Sequence, residues 1–121
     1  MVDEQRLEYF VLRYAPNALN TVGANICVVL CDAIAIEAGF CKVGFKPGWE
    51  SQLLKLDPDA DVDLIQSSIR ELEQQLSRAE YRRQILELML DSFSNVLRVS
   101  GPKGCLSDNP AQTLEELVAQ L

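Results

Sequence analysis

The spacing of apolar positions changes along the chain, from the alternation of strands to the three-and-four repeat of helices. Aromatic and branched residues dominate Glu8–Tyr14 and predict a first strand, which Pro16 ends by withholding a ladder donor. Asn17, Asn20 and Gly23 make the following segment a loop. Ala24–Cys31 is apolar on both faces, with Ile26, Val28 and Leu30 on one and Cys27, Val29 and Cys31 on the other. Such a run suits a central strand covered on both sides. Asp32-Ala33 predicts a tight turn into a third strand, Ile34–Phe45. Its apolar positions pass from even to odd beside Gly39, as a bulge requires.

From Lys46 onward the period is helical. Lys46-Pro47-Gly48-Trp49-Glu50 opens a short helix that reaches Lys55. The run Asp57-Pro58-Asp59-Ala60-Asp61 breaks the chain and caps a helix over Asp61–Ser77, whose stripe is Val62, Ile65, Ile69, Leu72 and Leu76. A further helix covers Ala79–Asp91. No Gly or Pro parts the two, so one long bent helix competes. A break near Ser77–Ala79 is preferred, because two antiparallel helices can both cover a sheet face. Ser92–Asn95 reads as a loop and Val96–Ser100 as a fourth strand, with a helix extended to Val99 as the alternative. Gly101-Pro102-Lys103-Gly104 is an irregular break, after which Cys105-Leu106 rejoins the sheet. Ser107-Asp108-Asn109-Pro110 starts a last helix with Leu114, Leu117, Val118 and Leu121 on its apolar face. That helix runs uncapped to the last residue, as in a domain lacking a short C-terminal continuation. The fold class is α+β: a mainly antiparallel sheet from an N-terminal meander, covered by two helices, with a C-terminal helix closing an end.

Composition narrows the function. The chain has 121 residues, the size of one domain. With 48% apolar and 24% charged residues it has the make-up of a globular protein. Its net charge of −7 repels phosphate backbones, so nucleic acid is a poor partner. Residues 57–91 hold nine acids and four bases, which concentrates the negative charge there. The polar, acidic start Met1-Val2-Asp3-Glu4-Gln5-Arg6 is no signal peptide, and no apolar run approaches membrane-spanning length. Of the four cysteines, Cys27 and Cys31 would lie about 13 Å apart on a strand, too far to bridge. Without histidine or a CxxC pair, the expectation is reduced thiols acting as small apolar residues in a cytoplasm, with no metal site.

Signs of chemistry are sparse. Asp57, Asp59, Asp61 and Asp63 alternate like the start of a calcium loop. Val62 then stands where the loop needs glycine, and Ser68 where it needs glutamate. No nucleophile–base pair and no phosphate loop is present, so no catalytic residue and no cofactor is expected. Arg13 is a charge within an apolar strand. Either it forms a structural ion pair with Glu37 or Asp32, or it is an anion receptor lined by Tyr9, Tyr14 and Asn25. Trp49 is either a core plug or an interface anchor.

Tyr9-Phe10-Val11-Leu12-Arg13-Tyr14-Ala15-Pro16, the Asn25 to Leu30 strand, the Asp57–Asp63 helix entry and Leu106-Ser107-Asp108-Asn109-Pro110 together resemble bacterial domain-of-unknown-function family 3037. The resemblance covers residues 8–121 and departs at Ile26-Cys27, where the family has a small residue and glycine. It implies no catalytic residues. It implies a small bacterial protein often encoded beside a HipA-type serine/threonine kinase, hence an accessory or antitoxin-like, toxin–antitoxin partner.

The expectation is a non-enzymatic protein-interaction module of the bacterial cytoplasm, with neither nucleic acid nor membrane as partner. The alternative is a small enzyme or anion-binding protein using Arg13. Strand one, if an edge strand, would pair two copies as a homodimer. The acidic face of Glu71, Glu73, Glu80 and Glu87 would instead suit a basic partner. Against both stands the reading that Trp49, Tyr81 and Phe93 complete the core.

Overall fold

A computed structural model describes residues 4–15, 23–36, 39–78, 80, 82–91 and 97–121. They form β1 (Gln5–Tyr14), β2 (Ala24–Asp32), β3 (Cys41–Phe45), α1 (Trp49–Leu56), α2 (Val62–Ser77), α3 (Arg82–Asp91), β4 (Leu97–Ser107) and α4 (Pro110–Ala119). The strands make one antiparallel sheet in the order β3-β2-β1-β4. The fold is therefore α+β, as the change of period predicts. Among the described residues no helix is long and apolar enough to cross a membrane, which says nothing of a β-barrel.

The double apolar pattern of β2 dictates the layering. Opposed residues in an antiparallel pair share a face. Phe10, Leu12 and Tyr14 thus share one face with Cys27, Val29 and Cys31, and with Val43 and Phe45 of β3. These residues form one core with Trp49 and Leu53 of α1, Ile65, Ile69, Leu72 and Leu76 of α2, and Leu86 of α3. Leu7, Val28 and Leu30 lie on the opposite face and are equally buried. There α4 covers the sheet. A Cβ at Gly44 would fall 2.7 Å from Val118 Cγ2 and 3.1 Å from Leu114 Cδ1, so the helix can lie this close because residue 44 has no side chain. The last helix thus covers a second face rather than closing an end. It finishes at Ala119, and the Gln120 amide donates back to the last turn.

The helix boundaries follow from their caps. Asp61 Oδ1 accepts from Leu64 N–H at 3.0 Å, so Asp61 precedes α2 as its N-cap. Asn109 does the same for α4, with Pro110 in the first helical position. The break between α2 and α3 falls at Arg78, whose backbone is extended, so two helices form as preferred. At the end of α1, Asp57 ties helix to sheet: Oδ2 accepts from the Tyr14 hydroxyl at 2.6 Å, and Oδ1 accepts from Asp59 N–H.

Three local expectations are overturned. The third strand starts at Cys41, not Ile34. Asp32 Oδ1 accepts from both Ile34 N–H and Ala35 N–H, which takes those donors from any ladder and turns the residues directly after Asp32 into a loop. The break expected at Gly101–Gly104 lies inside β4. Tyr9 pairs with Lys103 and Val11 with Ser100, so Gly101 and Pro102 face Phe10 as a bulge while the strand continues on both sides. And β1 is central, flanked by β2 and β4; the edges are β3 and β4. The predicted loop at Ser92–Asn95, Val96, Tyr81 and Phe93 lie outside the described residues.

Ile69 is fully buried and Leu64, on the outer face of the same helix, is 62% exposed. Ile69→Ala should lower the unfolding free energy by about 2–5 kcal/mol through lost burial and a residual cavity. Leu64→Ala should change it by no more than about 0.5 kcal/mol, as exposed sites generally do. Urea titration of both variants checks the contrast.

Burial, the hydrogen bond to Asp57 and the Asp57 charge push the Tyr14 hydroxyl up to about 12. The folded state thus holds this proton more tightly than the unfolded state, whose value is near 10. The stabilisation is complete below pH 10 and is lost as pH climbs through 12. Tyr14→Phe should cost about 1–3 kcal/mol at neutral pH and flatten that alkaline decline, read from denaturation across the pH range.

Candidate functional site

The five residues expected to bind do not meet at one place. Tyr9, Arg13 and Asn25 share the α4 face of the sheet, while Tyr14 and Trp49 belong to the opposite core. Tyr14 therefore cannot line a receptor around Arg13. Trp49 is 3% exposed and packs 6.1 Å from the Phe45 ring, so it is the core plug. Arg13 sits between Asn25 on β2 and Arg98 on β4, with its guanidinium against Gly23. An ion pair with Asp32 is excluded by register. Asp32 pairs with Leu7, six residues back along β1 and about 20 Å away at the strand rise. Glu37 lies outside the described residues. Lys103 shares the face of Arg13 and Arg98, so this side of β1 and β4 is basic in an acidic protein.

The loop made by Asp32 builds a groove that strand periodicity did not suggest. Ala33 N–H donates to Arg6 O at 2.8 Å and pins the loop to β1. The next residue, Ile34, is left 74% exposed. Leu106, opposite Arg6 in the ladder, is 61% exposed. Between them lies a groove of about 510 Å³ whose walls include Glu8, Gly104 and Cys105. Ile34 had been read as a ladder residue, and only the capping habit of Asp32 could have signalled its true place.

The same loop brings a second cluster together. Cys31 and Cys41 face each other across the β2–β3 ladder, with sulfurs 2.9 Å apart. Arg82, at the start of α3 and 7% exposed, lies beside them. Its Nε donates to Leu76 O at 2.8 Å, capping the end of α2, and its Nη1 donates to Ile36 O and to Gly39 O at 3.1 and 2.7 Å. The contact with Cys41 and burial push the Cys31 thiol up. The Cys31 hydrogen bond and the Arg82 charge lower Cys41 against the opposing effect of burial. Cys27 is pushed up to about 12 by burial and the Glu73 charge, and burial also raises Cys105. All four cysteines are free thiols, and Cys27 and Cys31 are buried. The closeness of Cys31 and Cys41 was not anticipated, because a turn at Asp32-Ala33 would not set them opposite each other. Arg82 carried no signal beyond its place on a helix. Among the described residues no three His, Cys, Asp or Glu side chains are grouped to hold a metal ion.

No curated protein and no solved structure matches the chain. A family profile described as a protein of unknown function, DUF3037, matches residues 9–121, from the strand that carries Arg13 to the end of the terminal helix. The chain belongs to the DUF3037 family.

Proposed function

We propose that this chain is a non-enzymatic protein-interaction module of the bacterial cytoplasm, whose groove between Ile34 and Leu106 takes an extended segment of a partner protein. The observation behind this reading is the exposure of two large aliphatic side chains, Ile34 and Leu106, that line one groove. An apolar anchor of the partner would fill the space between them. Arg6 and Glu8, which also line the groove, offer one charge of each sign to residues flanking that anchor. Among the described residues β4 has a strand neighbour only in β1, so its outer edge is available to a strand laid beside Leu106. Gly101, Pro102 and Lys103 blunt that edge farther along, which confines pairing to the groove end. A HipA-type kinase is the first partner to test, with this chain as its accessory or antitoxin-like subunit.

A second reading rests on the basic face. Arg13, Arg98 and Lys103, with Asn25, suit an anion. Arg98→Glu should then abolish any rise in melting temperature that phosphate confers on the native protein.

The groove is tested with a photoreactive benzophenone side chain at position 106, expressed in the bacterial host together with the kinase. The expected result is an adduct with one other protein. Ile34→Asp should abolish it without lowering the melting temperature, and the same probe at Lys55 should yield none. An adduct that survives Ile34→Asp, an adduct only between two copies of this chain, or none at all would overturn the reading.

A further inference from the structure

The Cys31–Cys41 pair has the parts of a thiol–disulfide exchange site. Residues directly opposed on antiparallel strands have Cα separations of about 4.5–5.5 Å, within the span a disulfide bridges. The sulfurs already touch at 2.9 Å. The two thiols are not equivalent. Cys31 is 2% exposed, whereas Cys41, on edge strand β3, is only half-buried. The nearby charges are the Arg82 guanidinium, which acts on both sulfurs, and Glu8, which acts on Cys31. Arg82 is held by three backbone carbonyls, one from the end of α2 and two from the loop that joins the cysteine strands. It therefore carries a fixed positive charge beside the dithiol. Cys27, two positions before Val29, opposes Phe45, and Cys105 lies on β4, so neither competes for the pair.

We infer that Cys41 and Cys31 are a redox-active dithiol that exchanges with low-molecular-weight disulfides of the glutathione type, Cys41 attacking and Cys31 resolving. In the first step the Cys41 thiol gives its proton to solvent and the thiolate attacks one sulfur of the incoming disulfide. A bond forms between Cys41 Sγ and that sulfur, the disulfide's S–S bond breaks, and the departing thiolate takes up a proton. Arg82 supports the negative charge on Cys41, and the Cys31 S–H donates to it. In the second step Cys31 loses its proton and attacks Cys41 Sγ. The mixed disulfide breaks, the second small thiolate leaves and is protonated, and the Cys31–Cys41 disulfide remains. Two protein thiols are oxidised, and one disulfide is reduced to two thiols. A buried resolving thiol behind a more accessible attacking one gives the order of the steps, since the external disulfide reaches only Cys41.

The test uses the full chain, reduced and then exposed to glutathione disulfide, with alkylation and peptide mass spectrometry at successive times. The wild type should lose two hydrogens and yield a Cys31–Cys41 linked peptide. Cys31→Ser should stop at a glutathione adduct on Cys41. Cys41→Ser should slow the first addition by roughly tenfold or more, because no other thiol combines access with a stabilised thiolate. Arg82→Lys keeps a charge beside the pair and should retain exchange. Arg82→Gln should slow exchange at neutral pH and move its rate profile to higher pH. Circular dichroism confirms that each variant is folded when assayed. Adducts at Cys105 as fast as at Cys41, or a Cys31–Cys41 link that appears only in denaturant, would overturn the inference. An unchanged rate profile in folded Arg82→Gln would overturn the role of Arg82.

Discussion

The structure depends on β2 being apolar on both faces. Ile26, Val28, Val29 and Leu30 are each buried to within 1% of completeness. Burying a side chain of this kind contributes about 1.5–3 kcal/mol, so leaving either face open would forfeit a large fraction of a small domain's net stability. Two covers are therefore required. α1, α2 and α3 supply one, and α4 returns from β4 to supply the other. A register shift between Leu12 and Arg13 places Ile26 as an extra residue on β2, so that Ile26 and Cys27 both join the helix-side core, where a regular strand would send one to each face.

That demand governs where function can reside. β1, β2 and the helices form a dry centre with little polar chemistry, apart from the Tyr14–Asp57 bond that fastens α1. The polar and sulfur groups gather where the sheet ends, around the loop that Asp32 begins. Asp32 starts that loop by capturing two amides. Gly39 closes it, because a Cβ there would lie 2.5 Å from the Asp32 Cβ. Arg82 reaches in from α3 to satisfy the Ile36 and Gly39 carbonyls. A buried guanidinium carries a heavy desolvation cost. Here three carbonyl acceptors offset it.

How much of this was legible follows from the range of the interactions involved. The α2 stripe was readable because helical burial repeats locally: Ile65, Ile69, Leu72 and Leu76 are the buried set expected of it. The caps Asp61 and Asn109 were readable for the same reason, each bonding an amide three residues on. The central place of β1 was not, because strand order is set by which strand returns last. β4 comes from beyond three helices and has an irregular Gly-Pro at its middle. Its pairing is driven by the long apolar ladder β1 offers, and no residue within β4 announces it. Arg13 looked like a site because it interrupts that apolar run. Register then set it beside Asn25 and Arg98 and apart from Asp32 and Tyr14. The thiol pair and the groove both required knowing that eight residues, not two, separate β2 from β3.

Those two features share the loop, and this couples them physically. Ile34 projects from a segment whose ends are Cys31 and Cys41 and whose far side is held by Arg82. In the reduced state hydrogen bonds help to anchor the segment, among them the Ala33 bond to Arg6, which lines the groove. A covalent link between the cysteines would shorten the ring that carries Ile34 and remove conformations from it. It would also eliminate any thiolate that Arg82 faces and so weaken the reason for its charge to sit there. Arg82 bonds the loop carbonyls directly, so a change at the sulfurs is transmitted to Ile36 and Gly39. Ile36 packs against the core and Cys31 is part of it, so the change also reaches the core through these two residues. The groove wall, with Ile34 beyond the reach of that core, is the part of the molecule free to respond.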